Sequence, residues 1–252
     1  MTGLWIETLA WPAVAERMAA GWPVIIPVGA RSKEHGHHLP MQTDYLLARA
    51  LADGVAAELP VLIAPVIDFG YYPAFLRYPG SQHLASATFI AVLRDIIGGF
   101  LDQGARRIAI INTGVSTEGP VDIAARDILV ARGVQVPVAH IRDLGRRTRS
   151  QMTQKLGGHG DESETSIMLV VAPEQVDMTK ARTDYGNMLT EPATVFSTPA
   201  QFRDDIGSGT HHSATGVRGD PTLATSQKGR ILLADMVGEL VAGVRPLVPA
   251  AS

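Results

Sequence analysis

Residues 23–44 read PVIIPVGARSKEHGHHLPMQTD. The first part, residues 24–28, is a short, unalternating, largely β-branched run, the pattern of a strand buried on both faces in a parallel sheet. Gly29 ends the run, and Glu34, His35, His37, His38 and Asp44 all follow within fifteen residues of it. Open α/β sheets bind ligands outside the carboxyl ends of their strands, where loops vary without disturbing the core. The stretch therefore reads as a buried strand that delivers imidazole and carboxylate groups to a site. Those two ligand types together suit zinc, manganese or iron(II) better than calcium, which prefers oxygen alone. HGHH by itself fits a solvated loop better than a metal site. The preceding strand and the following Asp44 tip the reading toward half of a metal site.

Working outward, periodicity predicts a helix after Trp11 and Pro12, over residues 13–20, with Val14, Met18 and Ala19 on one face and Gly21 as its stop. Thr43 or Asp44 is the expected cap of a helix running to about residue 59, with Leu46, Leu47, Ala50, Leu51 and Val55 on its apolar side. Asp44 would then sit at a positive helix end, aimed at the tip of the strand. A second strand is predicted at 61–66, followed by DFGYYPAFLRYPGSQH (68–83), a loop that either lines a pocket or covers a sheet edge. A helix at 85–101 ends before Gly104, a third strand at 107–112 breaks into TGVSTEGP (113–120), and a helix follows at 121–131. A fourth strand at 134–141, a polar linker and GGHGDESETS (157–166) lead into a helix at 164–172, with Asp161 or Ser163 near its start. Residues 173–227 turn to Pro, Gly, Thr and Asp, the composition of a long ordered loop or a lid over the site. An amphipathic helix at 228–244 closes the chain. Strand and helix alternate throughout, so the fold class is α/β, with a mainly parallel central sheet and helices on both faces. A length of 252 residues fits one domain spanning residues 1–252.

Composition excludes several classes of partner. A formal charge of -3 offers no general attraction for a phosphate backbone, and the one basic run, RDLGRRTR (142–149), reads as a solvated loop or an interface arm. With no cysteine, disulfides and thiolate ligands are both out, and any metal must be held by His, Asp, Glu or water. The first twenty residues carry Glu7 and Glu16 without a basic start, and no apolar run reaches the length of a membrane span. The expectation is a cytoplasmic protein with a small-molecule substrate, no nucleic acid and no membrane.

Four motifs in order carry a family resemblance. They are GARSKEHGHHLPMQTD (29–44), GARRIAIIN (104–112), the set His159, Glu164, Thr165 and Ser166, and GDPTLATSQKG (219–229). In the first of these His35, Gly36, His38, Leu39, Pro40 and Asp44 match. Together they resemble the creatininase family of creatinine amidohydrolases, over about residues 5–244. The resemblance implies a three-layer α/β/α fold, commonly a homohexamer, with a site for zinc, manganese or iron, one or two ions per chain. It implies hydrolysis of a C–N bond in a small, often cyclic, amide by metal-activated water. Carried over residue by residue, His35 is a metal ligand and Asp44 the carboxylate bridging two ions. Glu164 is a ligand or a carboxylate behind the ligands and has a part in catalysis, and His159 is the proton shuttle.

The chain departs from the family pattern at three places. The family's first ligand, a Glu two positions before the histidine, falls on Lys33. The nearest carboxylate is the adjacent Glu34, which a local shift after Ala30 brings toward the metal. The histidine of the family's NGH falls on Gly114. The site then holds a single ion, or His37, His83, Glu118 or a His211/His212 pair fills the gap, or metal is lost. All three tryptophans, Trp5, Trp11 and Trp22, precede the first predicted strand, whereas creatininase covers its substrate with tryptophans from a later loop. That points to another cyclic amide, a formamide or a lactone-like compound rather than creatinine. Two rival readings stand beside this one. The first is a lyase or isomerase of a sugar-like ligand with Lys33 or His159 as base, and the second a metal-free binding protein on the same fold.

Overall fold

The structure is a computed structural model that describes residues 2–187, 195, 199–208 and 211–250. Its strands are β1 (Leu4–Trp5), β2 (Val24–Val28), β3 (Leu62–Ile63), β4 (Ile108–Asn112) and β5 (Val138–His140), and its helices are α1 (Trp11–Ala19), α2 (Thr43–Glu58), α3 (Ser86–Asp102), α4 (Glu118–Arg132), α5 (Glu162–Val171) and α6 (Ser226–Val244). Among the described residues the strands of the sheet all pair in parallel, in the order β1-β3-β2-β4-β5. The expected α/β class and parallel sheet are therefore present. The two-residue edge strand β1 lies in a segment too short to show a period, and β3 and β5 are shorter than their apolar runs.

Side chains alternate across the sheet and so divide the core in two. Ile25, Ile63, Ala109 and Ile111 pack with Leu47, Leu51, Ile167, Leu232 and Met236 of α2, α5 and α6. Val24, Ile26, Leu62, Ile108 and Ile110 pack with Met18, Phe89, Leu93, Val121 and Ile128 of α1, α3 and α4. This is a three-layer α/β/α arrangement, and its period-2 alternation is the one a pleated strand imposes. The apolar run of β2 is continuous because both of its faces are covered.

Pro27 lies inside β2, the middle strand, a place where proline's missing N–H usually breaks a ladder. The register explains why it is tolerated. The Ile67 amide donates to Pro27 O at 2.9 Å, as the Ala64 amide donates to Ile25 O at 2.9 Å, so Pro27 faces the β3 side. The two-residue β3 has already ended there at Ile63, and little ladder is left to interrupt.

The tip of β2 sits hard against the start of α2. A Cβ on Gly29 would lie 2.4 Å from the Asp44 carbonyl oxygen and 2.8 Å from the Ala48 methyl. Both neighbours belong to packed helix, so neither can swing away. Gly29→Ala is expected to lift the first turn of α2 off the sheet and to cost about 1–3 kcal/mol, the usual penalty of overpacking. Urea denaturation checks this, and a change under about 0.5 kcal/mol would show the helix start to be more yielding than its geometry indicates.

Candidate metal and proton-transfer site

The site forms where β2 and β4 end side by side, with Val28 in register with Asn112. The Thr113 hydroxyl reaches Val28 O at 3.0 Å and Asp44 O at 2.9 Å, tying the β4 tip to both the β2 tip and α2. The Tyr45 amide donates to Ala30 O at 3.1 Å. Three elements thus hold residues 30–44 in place before any functional side chain is counted.

Thr43 or Asp44 was the expected cap of α2. The cap position falls instead on Gln42, whose side chain makes no capping bond, and Thr43 and Asp44 lie in the first turn. The physical reason is that the Asp44 carboxylate is engaged elsewhere. Its Oδ2 accepts from Lys33 Nζ at 2.6 Å, and its Oδ1 lies 2.9 Å from His35 Nε2. All three side chains are buried. Burial alone would raise the Asp44 pKa, but Lys33 and then His35 outweigh it and hold the carboxyl well below the usual range. His35 Nδ1 faces Lys33 O at 2.9 Å. A carbonyl only accepts, so that nitrogen donates, and Nε2 is the one that meets the Asp44 carboxylate.

The second half of the site comes from α5. Asp161 is the N-cap, accepting from Ser163 N at 2.9 Å and Glu164 N at 3.1 Å. Of the two capping candidates near this helix, Asp161 fills the role, and burial followed by the Glu164 charge pushes its carboxyl up. Gly160, at φ +55°, turns the chain into the helix, and its amide donates to Glu164 Oε2 at 2.7 Å. Glu162 binds the amides of Thr153 and Gln154 and the Lys228 ammonium, a structural tie away from the site.

His159 precedes this turn and is held by a backbone bridge to Arg218. Its Nε2 lies 2.7 Å from Glu34 O and 3.1 Å from Glu34 Oε2, and its Nδ1 lies 3.9 Å from Glu164 Oε2. Burial would lower the pKa of this imidazole, but the Glu34 charge and hydrogen bond raise it on balance. Reciprocally, burial would raise the Glu34 carboxyl, and His159 together with the Gly36 amide brings it down. Phe75 covers His159 with ring centroids 4.4 Å apart, and Phe202 meets Phe75 edge-on at 4.9 Å.

Two aspects of this arrangement escape motif reading. Phe75 and Tyr72 come from the 68–83 loop, whose aromatic content was the available signal for a pocket lining. His38, matched in the first motif but given no role, is buried and bonds Thr165 Oγ1 through Nε2 at 2.8 Å. Its Nδ1 has no hydrogen-bond partner, and burial pushes its pKa down to about 4.

The His38 shift has a measurable consequence. Between about pH 6.5 and about pH 4 the unfolded chain takes up a proton at His38 that the folded one refuses, so stability falls as pH drops through that window. The contribution is up to about 3 kcal/mol. Denaturation of wild type and His38→Asn across this range should show a shallower slope in the variant. Identical slopes would mean that His38 protonates without penalty.

Among the described residues, one group of three can offer ligand atoms to a single ion. It is His35, His159 and Glu164, with one ligand atom from each lying within 4.8 Å of the others. Two ligands at about 2.0–2.2 Å from one ion stand roughly 3–4 Å apart. The 3.9 Å between His159 Nδ1 and Glu164 Oε2 fits that spacing. Of the other expected ligands, Glu34 faces His159 and Asp44 faces His35 and Lys33, each a single side chain away from the group. Gly114 is fixed by its neighbours, since a Cβ there would meet Thr117 Oγ1 at 2.7 Å. None of the proposed substitutes joins the group. His37 is exposed, His83 lies beside Tyr71 and Tyr72, Glu118 pairs with Arg142 at 2.8 Å, and His211 and His212 stand in the 203–218 segment.

The 173–227 segment, read as loop or lid, consists of 3-10 turns, bends and bridges where it is described, up to Ser226, where α6 already begins, and residues 188–194, 196–198 and 209–210 lie outside the described residues. Among the described residues, no helix is long and apolar enough to cross a membrane.

Comparison with known proteins agrees with this fold. Residues 7–244 match the family profile described as Creatininase: Creatinine amidohydrolase. The chain is 28% identical to the creatinine amidohydrolase of Pseudomonas putida, with 98% of each covered. It is 30% identical to a mycofactocin precursor peptide peptidase of Mycobacterium tuberculosis, over 90% of this chain and 86% of that protein. It is also 29% identical to the 3-dehydro-scyllo-inosose hydrolase of Thermotoga maritima, over 99% of this chain and 86% of that one. Among solved structures, a creatininase designated Mn superposes with a TM-score of 0.79 at 26% identity, covering 98% of this chain and all of that one. A mutant creatininase designated Zn-Zn type gives 0.81 at 25%, covering 99% and 100%. From four sequence motifs, a shared three-layer sheet and a match across nearly the whole chain, the protein belongs to the creatininase family.

Proposed function

We infer that the chain is a metal-dependent hydrolase of the C–N bond in a small, cyclic amide. The observation that carries this reading is the convergence of His35, His159 and Glu164 within 4.8 Å. His35 and Glu164, with Glu34 or Asp44 beside them, form an imidazole–carboxylate donor set suited to zinc, manganese or iron(II), and His159 stands beside that set as the proton donor. The named relatives, an amidohydrolase, a peptide peptidase and an inosose hydrolase, support hydrolysis as the common chemistry and leave the substrate open. A cytoplasmic enzyme assembled as a homohexamer is part of the same reading.

A bound ion supplies a nucleophile at neutral pH and polarises the carbonyl, both of which an unreactive amide needs. The chain's own residues do the rest. His35 and Glu164 hold the ion, with Glu34 or Asp44 as the further carboxylate. Lys33 O fixes the His35 ring through Nδ1, so Nε2, which stands beside Asp44 Oδ1, is the atom that would hold the ion. His159, which keeps its proton beside Glu34 and faces Glu164 through Nδ1, delivers a proton to the leaving nitrogen. Phe75 and Phe202 keep water off the far face of that imidazole. The 4.8 Å spacing also favours a second reading, in which His159 is itself the third ligand.

Elemental analysis of undialysed protein and assays on cyclic amides test the reading together. Wild type should carry metal, and His35→Ala should lose both metal and turnover. A metal-free wild type that gains no activity on adding zinc, manganese or iron would overturn it in favour of a binding protein on this fold.

A further inference from the structure

We propose that the Lys33 ammonium is the resident counter-cation of Asp44 and limits the chain to a single divalent ion. Asp44 has two faces. Oδ1 meets His35 Nε2, one of the three-residue group where the proposed ion belongs, and Oδ2 meets Lys33 Nζ at 2.6 Å. An ion on the Oδ2 side needs negative charge and room, and it has neither. A cavity of about 10 Å³ lies there, lined by Gly29, Lys33, Asp44, Tyr72, Gly114 and Thr117 among others. That is room for about one water. Among the described residues, Lys33 and Asp44 are its only charged lining residues and they cancel.

The ammonium is also anchored. Its Nζ stands 5.0 Å from the Phe75 ring centroid, a cation–π distance, and Lys33 O holds the His35 ring through Nδ1. Lys33 is 5% exposed, so its charge faces Asp44 with little screening by water. A divalent ion entering on the Oδ2 side would have to displace that charge or sit against it. Lys33 therefore does by side chain what a second ion would do: it neutralises Asp44 and fixes its orientation toward His35.

This inference rests on the metal reading of the site, but its test separates the two. Protein reconstituted with saturating MnCl2 is desalted and its ions per chain are counted, with Mn(II) electron paramagnetic resonance to distinguish isolated from coupled ions. Wild type is expected to hold one. Lys33→Glu, which removes the cation and adds a carboxylate beside Oδ2, should hold one more than wild type, with the coupled signal of two neighbouring ions. Lys33→Ser, which frees Oδ2 without adding charge and guards against a failure of the glutamate variant to fold, should also gain an ion. Two ions in wild type, or no gain in either folded variant, overturns the role of Lys33. No ion in wild type with one gained in the variants upholds it and overturns the metal reading instead.

Discussion

Asp44→Ala should destabilise the fold by about 3–5 kcal/mol, the range for removing one partner of a buried ion pair and leaving the other uncompensated. The structure gives the reason. Lys33 Nζ has the Asp44 carboxylate as its ion-pair partner at 2.6 Å, both side chains are buried, and the cavity beside them holds room for about one water. Deleting the carboxylate strands an ammonium that must lose its proton or draw water in. The two charges should therefore be strongly non-additive. Replacing both, as Lys33→Met with Asp44→Leu, is expected to recover most of the loss, because well-packed apolar residues often match a buried pair in stability. Urea denaturation of the two single variants and the double gives the coupling directly. A single-variant cost below about 1 kcal/mol would mean that the pair is solvated. Loss of turnover in Asp44→Ala is thus interpretable only beside its stability.

His159→Asn is the companion experiment on the chemistry. Asparagine keeps a donor for Glu34 and removes the titrating nitrogen. Turnover should fall by about 10²–10⁴-fold, the usual contribution of a positioned proton donor. The number of ions per chain should not change if His159 is the shuttle. Loss of the ion with the activity would identify it as the third ligand, and near-normal turnover would remove it from the mechanism.

Much of the architecture could be read before the structure because its signals are local. The apolar run at 24–28 is buried on both faces, and the helical periods at 85–101 and 228–244 follow from one-sided packing. The two-residue strand β1 has no such signal, since its place depends on pairing with Leu62 and Ile63 nearly sixty residues away. The same distinction holds at the site. Asp44, His35, His159 and Glu164 were named because motifs mark them. How their charges are shared was not legible, since Glu34 meets His159 across 125 residues and Phe75 reaches that ring from a third segment. Lys33 stood out as a departure from the family's pattern and as a candidate base, and its pairing with Asp44 emerged only from the 2.6 Å contact.

The placement of the site between β2 and β4 affects how it responds to ligands. These are the two innermost long strands, joined along all five residues. Amides such as those of Ile26 and Val28 should exchange with deuterium only when the whole sheet opens, because nothing smaller exposes them. Anything bound at the strand tips then opposes global unfolding rather than a local motion. At a hundred times its dissociation constant a ligand adds about 2.7 kcal/mol to that barrier. A melting-temperature screen of cyclic amides, peptides and sugar-like compounds therefore reports occupancy of this site without any assay of the reaction.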